Sequence, residues 1–398
     1  MLFDFNVYSS LLLPPVIQGL LFSILLLIRG FREDKLSDYL LSALLFLFMI
    51  RVSGWMLGFA GWYDSHDWHS TFMFYFPFTH WYAFGPLMYF YFRSLANSEF
   101  RFQKKDFLHF IPAFIWVAFF LYAFLMDVVW RHWINGIAFT DHFGTKGPLG
   151  QLNGMWLDDI FDYLALPTLL AYVILTIRQY FQYRRYILEH FSDTDDIDLN
   201  WLRNLLYAFL LSIAIWIGFL LASIWGQEGL SYVELWYSHL AWGIIIYYLS
   251  IAGYLTHIPE RFPLYFNPKA ETAQATEAKE ESEELEKLKA LILKWMETER
   301  PYLEPDLTLN ALAAQMQLPA TTLSRTINNG LGKNFNDFVN EYRVEEVKFK
   351  IRSAEYEHLS LLGLAFESGF SSKATFNRAF KKLSGQSPSE YQKAHKAR

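Results

Sequence analysis

The sequence predicts an all-α protein that lives in two media, a seven-helix bundle in lipid followed by a water-soluble domain of two helix-turn-helix pairs. Three observations predict it. Seven long apolar runs fill residues 1–257, and a proline-broken stretch poor in large apolar side chains follows over 258–284. From 285 onward apolar residues return at helical spacing, with glycine at the turns. The domains read as a seven-helix transmembrane domain (1–257), a linker (258–284), a linker helix (285–300) and a C-terminal domain (301–398).

The 398 residues are 53% hydrophobic and 19% aromatic, more than a soluble chain of that size carries. The runs lie roughly at Leu11 to Ile28, Leu36 to Ala60, Phe72 to Phe92, Phe107 to Val129, Leu157 to Ile177, Leu205 to Trp225 and Leu235 to Leu255. Each has about the 20 residues that cross ~30 Å of hydrocarbon. Buried helices of a large soluble protein would not leave so many long runs nearly free of charge. The first run lacks a basic segment before it and a small-residue cleavage site after it, so it reads as a span.

Basic residues set the expected orientation. Arg29, Arg32, Lys35, Arg93, Arg101, Lys104, Lys105, Arg178, Arg184, Arg185 and Arg203 fall in alternate loops, whereas the opposite loops hold Arg131 and Lys146. The N-terminus is therefore expected outside and the C-terminus in the cytoplasm, as in a multi-pass membrane protein. Trp62, Trp68, Trp130, Trp133, Trp156, Trp225 and Trp236 fall near the expected outer ends, as an interfacial belt would. The absence of cysteine excludes disulfides, thiolate metal sites and thiol catalysis.

Pro259, Pro263 and Pro268 stop a helix from running on beyond the seventh run, and 269–284 is rich in Ala, Glu and Thr. A mobile linker of that size has a typical reach of ~22 Å, which keeps the C-terminal domain near the bilayer. Leu285, Leu288, Ile292 and Trp295 then form one helical stripe. It either packs back on the domain that follows or forms a short seam with a second copy.

Within Leu307 to Asn329 a helix from Thr308 to Met316 is followed by a turn at Gln317, Leu318 and Pro319 and by a second helix, with Ala313, Leu323 and Ile327 packed between them. The pattern returns over Leu361 to Lys382. There a helix carrying Ala365, a turn at Gly369 and Phe370, and a helix capped by Ser371 or Ser372 bury Phe376, Ala379, Phe380 and Leu383. A helix over Phe335 to Ser353 joins the two pairs; its ~29 Å is close to the ~34 Å between successive major grooves on one face of DNA.

This pair of motifs resembles the AraC/XylS family of bacterial transcription activators. The resemblance covers about Leu303 to Gln392 and is carried by Gly369–Phe370, by F-x-R-x-F-K-K from Phe376 to Lys382, and by G-x-S-P-x-x-Y from Gly385 to Tyr391. The pattern departs at Gly363 and Gln392. The resemblance implies sequence-specific binding to double-stranded promoter DNA, with RNA polymerase as a partner and no enzymatic activity. By it, one reading helix presents Thr321, Ser324 and Arg325, and the other Lys373, Thr375, Asn377 and Arg378. Lys381, Lys382 and Arg343 are expected at the phosphate backbone. From Leu303 on, 13 Lys and Arg stand against 10 Asp and Glu, a net of +3. So small a positive balance implies weak non-specific binding, and hence paired sites or a homodimer.

The membrane half holds no H-E-x-x-H or G-x-S-x-G motif, and no lysine in the seventh run for a retinal Schiff base. No cofactor or metal is expected. Four ionisable groups lie in or beside the apolar runs: Arg51, His80, Asp162 and His239. Such groups are costly in lipid and stand for function by default. With Trp55, Trp81, Tyr82 and Trp242 they would line an outward pocket for a small-molecule or lipid ligand, an anionic one given Arg51. Alternatively, Arg51 pairs with Asp162 as a structural tie. Together these features predict a membrane-embedded sensor that regulates transcription. The alternative is a transporter or membrane receptor whose cytoplasmic tail is a protein-interaction module.

Overall fold

The computed structural model describes residues 4–141, 143–152, 156–225, 231–256, 264–266 and 282–395, with the side chains of 156–163, 212, 215, 216, 218–225 and 282–284 excepted. The described residues are helical apart from turns and two isolated bridges. They form two compact units, Met1–Arg178 with Asn200–Tyr265, and Gln179–Leu199 with Phe266–Arg398. The chain thus enters the second unit twice.

The first unit is built on α1 (Val7–Glu33), α2 (Leu36–Phe59), α3 (Trp68–Tyr75), α4 (Trp81–Ala96), α5 (Ile111–Ala123), α6 (Pro148–Leu152), the first part of α7 (Trp156–His190), α8 (Asn200–Trp225) and α9 (Tyr232–Leu255). Asn6 caps α1 in a capping box with Ser9. Small residues let α1, α2 and α9 approach closely, the packing by which helices associate where apolar burial gives little drive. A Cβ on Gly253 would lie 2.4 Å from Leu41. Arg29 closes one end of the three helices: its guanidinium grips Asp38 through two bonds of 2.6 and 2.7 Å and donates to the Tyr254 carbonyl at 2.6 Å. Phe48 lies at the centre, with ring centroids 4.3 Å from Phe84 and 5.4 Å from Trp242.

Five helical stretches, not seven, are long and apolar enough to cross a membrane among the described residues: Val7–Glu33, Leu36–Phe59, Lys104–Ile134, Leu164–His190 and Tyr232–Leu255. The third expected span is broken. Pro77 has no N–H to continue α3 and drives Phe76 into an extended conformation (φ −88°, ψ 127°), so the run divides into α3 and α4. The sixth run is helical within α8, but many of its side chains lie outside the described residues. The Lys104–Ile134 stretch, α5 with the turns at its two ends, exposes Phe107, Leu108, Phe114, Ile115, Leu121 and Leu125, an apolar face that water tolerates poorly. Among the expected belt, Trp68, Trp130 and Trp133 are exposed, whereas Trp236 is buried and donates to the Tyr8 carbonyl at 3.0 Å. Trp156 and Trp225 lie outside the described side chains. Most of the expected linker is likewise outside, although Leu264 accepts a bond from the Ser98 N–H at 2.9 Å.

The second unit contains α10 (Ser282–Thr298), α11 (Leu309–Gln315), α12 (Ala320–Arg325), α13 (Phe335–Arg352), α14 (Leu361–Phe366), α15 (Lys373–Ser384) and α16 (Pro388–His395). It has two cores joined by α13. Ile292, Met296, Leu309, Leu312, Leu323, Ile327, Phe335 and Phe338 make the first, with Trp295 against it. The linker helix therefore packs back on the first helix-turn-helix. Val344, Val347 and Ile351 of α13 enter the second core with Leu364, Ala365, Phe370, Phe376 and Phe380. Leu383, expected in that core, is exposed.

A third stripe on α13 is polar. Asn336, Asn340 and Arg343 recur at spacings of four and three, which sets them on one face, and all three are buried. What covers them is residues 191–195 of the strap that connects α7 to α8, which runs over 191–199. Ser192 accepts from Asn336 (2.8 Å) and Asn340 (3.3 Å) at its carbonyl and from Arg343 (3.1 Å) at its hydroxyl, while its N–H donates to the Leu307 carbonyl at 3.2 Å. Tyr183 anchors the far side by donating to the Ile197 carbonyl at 2.5 Å.

Candidate nucleic-acid interface

Each helix-turn-helix is set by local chemistry. Thr308 caps α11 by accepting from Ala311 N–H, and Pro319 stands at the N-cap of α12, where its missing N–H costs nothing. Ser372, not Ser371, caps α15 by accepting from Thr375 N–H at 3.1 Å. At Gly369 φ is +90°, and a Cβ there would stand 2.1 Å from the Tyr302 carbonyl oxygen. Only glycine fits that turn.

Of the expected contact residues, Thr321 and Arg325 are exposed on α12, with Ser324 half-buried beside them. Lys373, Asn377, Arg378, Lys381 and Lys382 are exposed on α15. The recurrence of Lys373, Asn377 and Lys381 every four residues gives that helix one polar, cationic face. Lys382 is already engaged, donating to both Asp337 oxygens at 2.7 and 2.8 Å. Two residues stand elsewhere than at an open surface.

Arg343 is fully buried and donates to the carbonyls of Tyr302 (2.8 Å), Glu304 (2.7 Å) and Pro305 (3.3 Å) as well as to Ser192. Burial pushes its pKa down to about 10, against the pull of Asp193 and Asp306. In that place it fastens the seam of the unit. Thr375 is also buried, with its hydroxyl 2.9 Å from Asp193 Oδ1 and 2.5 Å from Asp195 Oδ2.

The two aspartates belong to the strap, and the sequence reading assigned them nothing. Asp193 accepts from the Ser371 hydroxyl, and Asp195 accepts from the Ser372 hydroxyl (2.6 Å) and pairs with Arg378 (2.7 Å). Burial, the largest influence, holds the Asp193 carboxyl above the usual carboxylate range. Burial acts the same way on Asp195, but bonds from Ser372, Thr375 and Arg378, with the Arg378 charge, bring it below that range.

The first unit gathers most of the expected pocket residues. Arg51 donates to Thr79 Oγ1 at 2.8 Å and lies 5.2 Å from the centre of the Trp81 ring. Trp55 stacks on His239 at 4.1 Å, and Trp81 meets Trp242 at 5.5 Å. His239 Nδ1 lies 3.0 Å from the Leu235 carbonyl, while its Nε2 is buried with no hydrogen-bond partner among the described residues. His80 and Tyr82 are buried near the start of α4. The Asp162 side chain lies outside the described residues.

Residues 312–394 match a helix-turn-helix domain family. Over 86 residues the chain is 33% identical to uncharacterised HTH-type transcriptional regulators of Staphylococcus aureus, covering 22% of this chain and 11% of theirs. It is 30% identical over 100 residues to the probable transcription factor PqrA of Proteus vulgaris, covering 25% of this chain and 79% of that one. The chain belongs to the helix-turn-helix transcriptional regulators. A solved protein of unknown function from Listeria innocua aligns over 27% of this regulator and 95% of its own chain, at 27% identity and a TM-score of 0.24. The regulator thus spans only a small part of the length of its Staphylococcus relatives, and all these likenesses lie in at most about a quarter of its own chain.

Proposed function

We propose that the protein is a membrane-embedded, AraC-like transcription regulator whose second unit binds promoter DNA in response to a signal received by the first. The observation that carries the reading is one chain holding both an exposed cationic face on a helix-turn-helix and five helices apolar enough for lipid. In this reading Arg325 and Arg378 reach guanine edges or phosphates, Thr321, Ser324, Lys373 and Asn377 stand beside them, and Lys381 and Lys382 meet the backbone. RNA polymerase and a second copy are its further partners. The cluster of Arg51, Trp55, Trp81, His239 and Trp242 is its ligand site, taking a small anionic molecule or lipid headgroup.

The orientation proposed is N-terminus outside and C-terminus in the cytoplasm of a bacterial inner membrane, with α3–α4 and α8 crossing as well as the five apolar stretches. Reporter fusions after Asp67 and Lys146 are expected to read external, and fusions after Lys35, Asp195 and Arg398 cytoplasmic. An Asp67 fusion that reads cytoplasmic would invert the topology and separate the DNA-binding unit from DNA.

The function itself is tested with the full chain in lipid nanodiscs. Promoter-selective binding that weakens steeply with salt is expected. Binding to no promoter in a genomic pool would overturn the proposal in favour of a tail that serves protein interactions.

A further inference from the structure

The strap between α7 and α8 does more than complete a core. Its base and its tip make different kinds of contact. At the base, Ser192 is bonded to Asn336, Asn340 and Arg343 and belongs to the seam of the unit. At the tip, Asp193 and Asp195 place two carboxylates against Ser371, Ser372 and Thr375 at the N-terminal end of the second reading helix, and against Arg378 one turn further on.

That end of a helix attracts anions, because its free N–H groups and dipole present partial positive charge. Hydroxyls and an arginine beside it are the groups that DNA phosphates use for docking. Here both carboxylates already occupy them, Thr375 is covered, and Arg378 has an anionic partner. The strap is also continuous with α7 at one end and α8 at the other, helices that the chain shares with or places in the first unit.

We infer that Asp193 and Asp195 are an acidic latch that stands in for DNA phosphates on the second reading helix and holds the regulator in a low-affinity state. The latch rests on the DNA-binding reading and adds its control. Movement of the strap ends withdraws the carboxylates and frees Ser371, Ser372, Thr375 and Arg378 together. A protein whose binding-competent state is a minor fraction binds more weakly by that fraction.

The test uses the full chain in nanodiscs and a promoter fragment that the wild type binds. Asp193→Ala with Asp195→Ala is expected to tighten binding about tenfold, as release from a state competent one time in ten requires. Glu355→Ala with Glu357→Ala removes the same charge from an exposed turn and is expected to change binding far less. Equal effects of the two pairs, or no tightening in a latch variant that keeps wild-type hydrogen-exchange protection in α13, would overturn the latch. Because the chain has no cysteine, a second arm carries Asp193→Cys with Ser371→Cys. Oxidation is expected to join them and abolish DNA binding, and reduction to restore it. A pair that never joins, or binding that survives joining, contradicts the inference. If wild type and all variants bind no promoter, the DNA-binding reading fails as well; if the wild type binds and these arms do nothing, only the latch fails.

Discussion

Arg343→Ala is expected to unfold the second unit at temperatures where the wild type is folded. The fully buried guanidinium satisfies the carbonyls of Tyr302, Glu304 and Pro305 and the hydroxyl of Ser192. Truncation leaves those acceptors unpaired and a void in place of a long side chain. The expected cost is about 3 to 5 kcal/mol. Against a typical domain stability of roughly 5 to 15 kcal/mol that is enough to populate the unfolded unit. Arg343→Lys keeps the charge and loses the planar fork, so an intermediate loss is expected. Hydrogen exchange of peptides from α13 and α15 reads the effect. Wild-type protection in Arg343→Ala would mean that this side chain is not the fastener described.

Gly369→Ala is expected to be nearly as damaging for a different reason. The residue takes φ +90°, and the added methyl would meet the Tyr302 carbonyl oxygen at 2.1 Å and Leu303 Cα at 2.9 Å, backbone atoms that a rotamer change does not move. A positive φ by itself costs a side chain of the order of 1 to 3 kcal/mol, and the clash adds to it. The turn between α14 and α15 should open, with the second unit melting on the order of 10 °C lower. A melting temperature within about 2 °C of wild type, read from the same peptides, would contradict this geometry. Gly363→Ala is the matched control, because a Cβ there meets nothing closer than 3.4 Å.

What the sequence revealed and what it hid follow one division. The two helix-turn-helix pairs were legible because their signals are local: proline at the start of α12, a serine cap before α15, glycine at 369, and apolar residues three and four apart in α15. The stripe ending at Trp295 was legible as a helix, but its docking on the first core needed Phe335 and Phe338, far along the chain. Arg343 was misplaced at the DNA surface because charge alone suggested it. The signal that would have found its true place is the buried face it shares with Asn336 and Asn340, between the apolar faces of α13. Asp193 and Asp195 carried no sequence signal, since their partners lie almost 180 residues away. In the first unit, length and apolar content gave helices but not their continuity. Pro77 lay in plain view and divides what hydropathy alone joined.

The most direct measurement of the central claim is a salt titration of promoter binding by the full chain in nanodiscs. If about four phosphates are contacted, affinity should fall on the order of a hundredfold between about 50 and 200 mM salt. Arg325→Ala and Lys373→Ala should each weaken binding, and loss of a phosphate contact should reduce the salt slope by about one. Binding that is indifferent to salt and to both substitutions would contradict a DNA-binding role for the two reading helices.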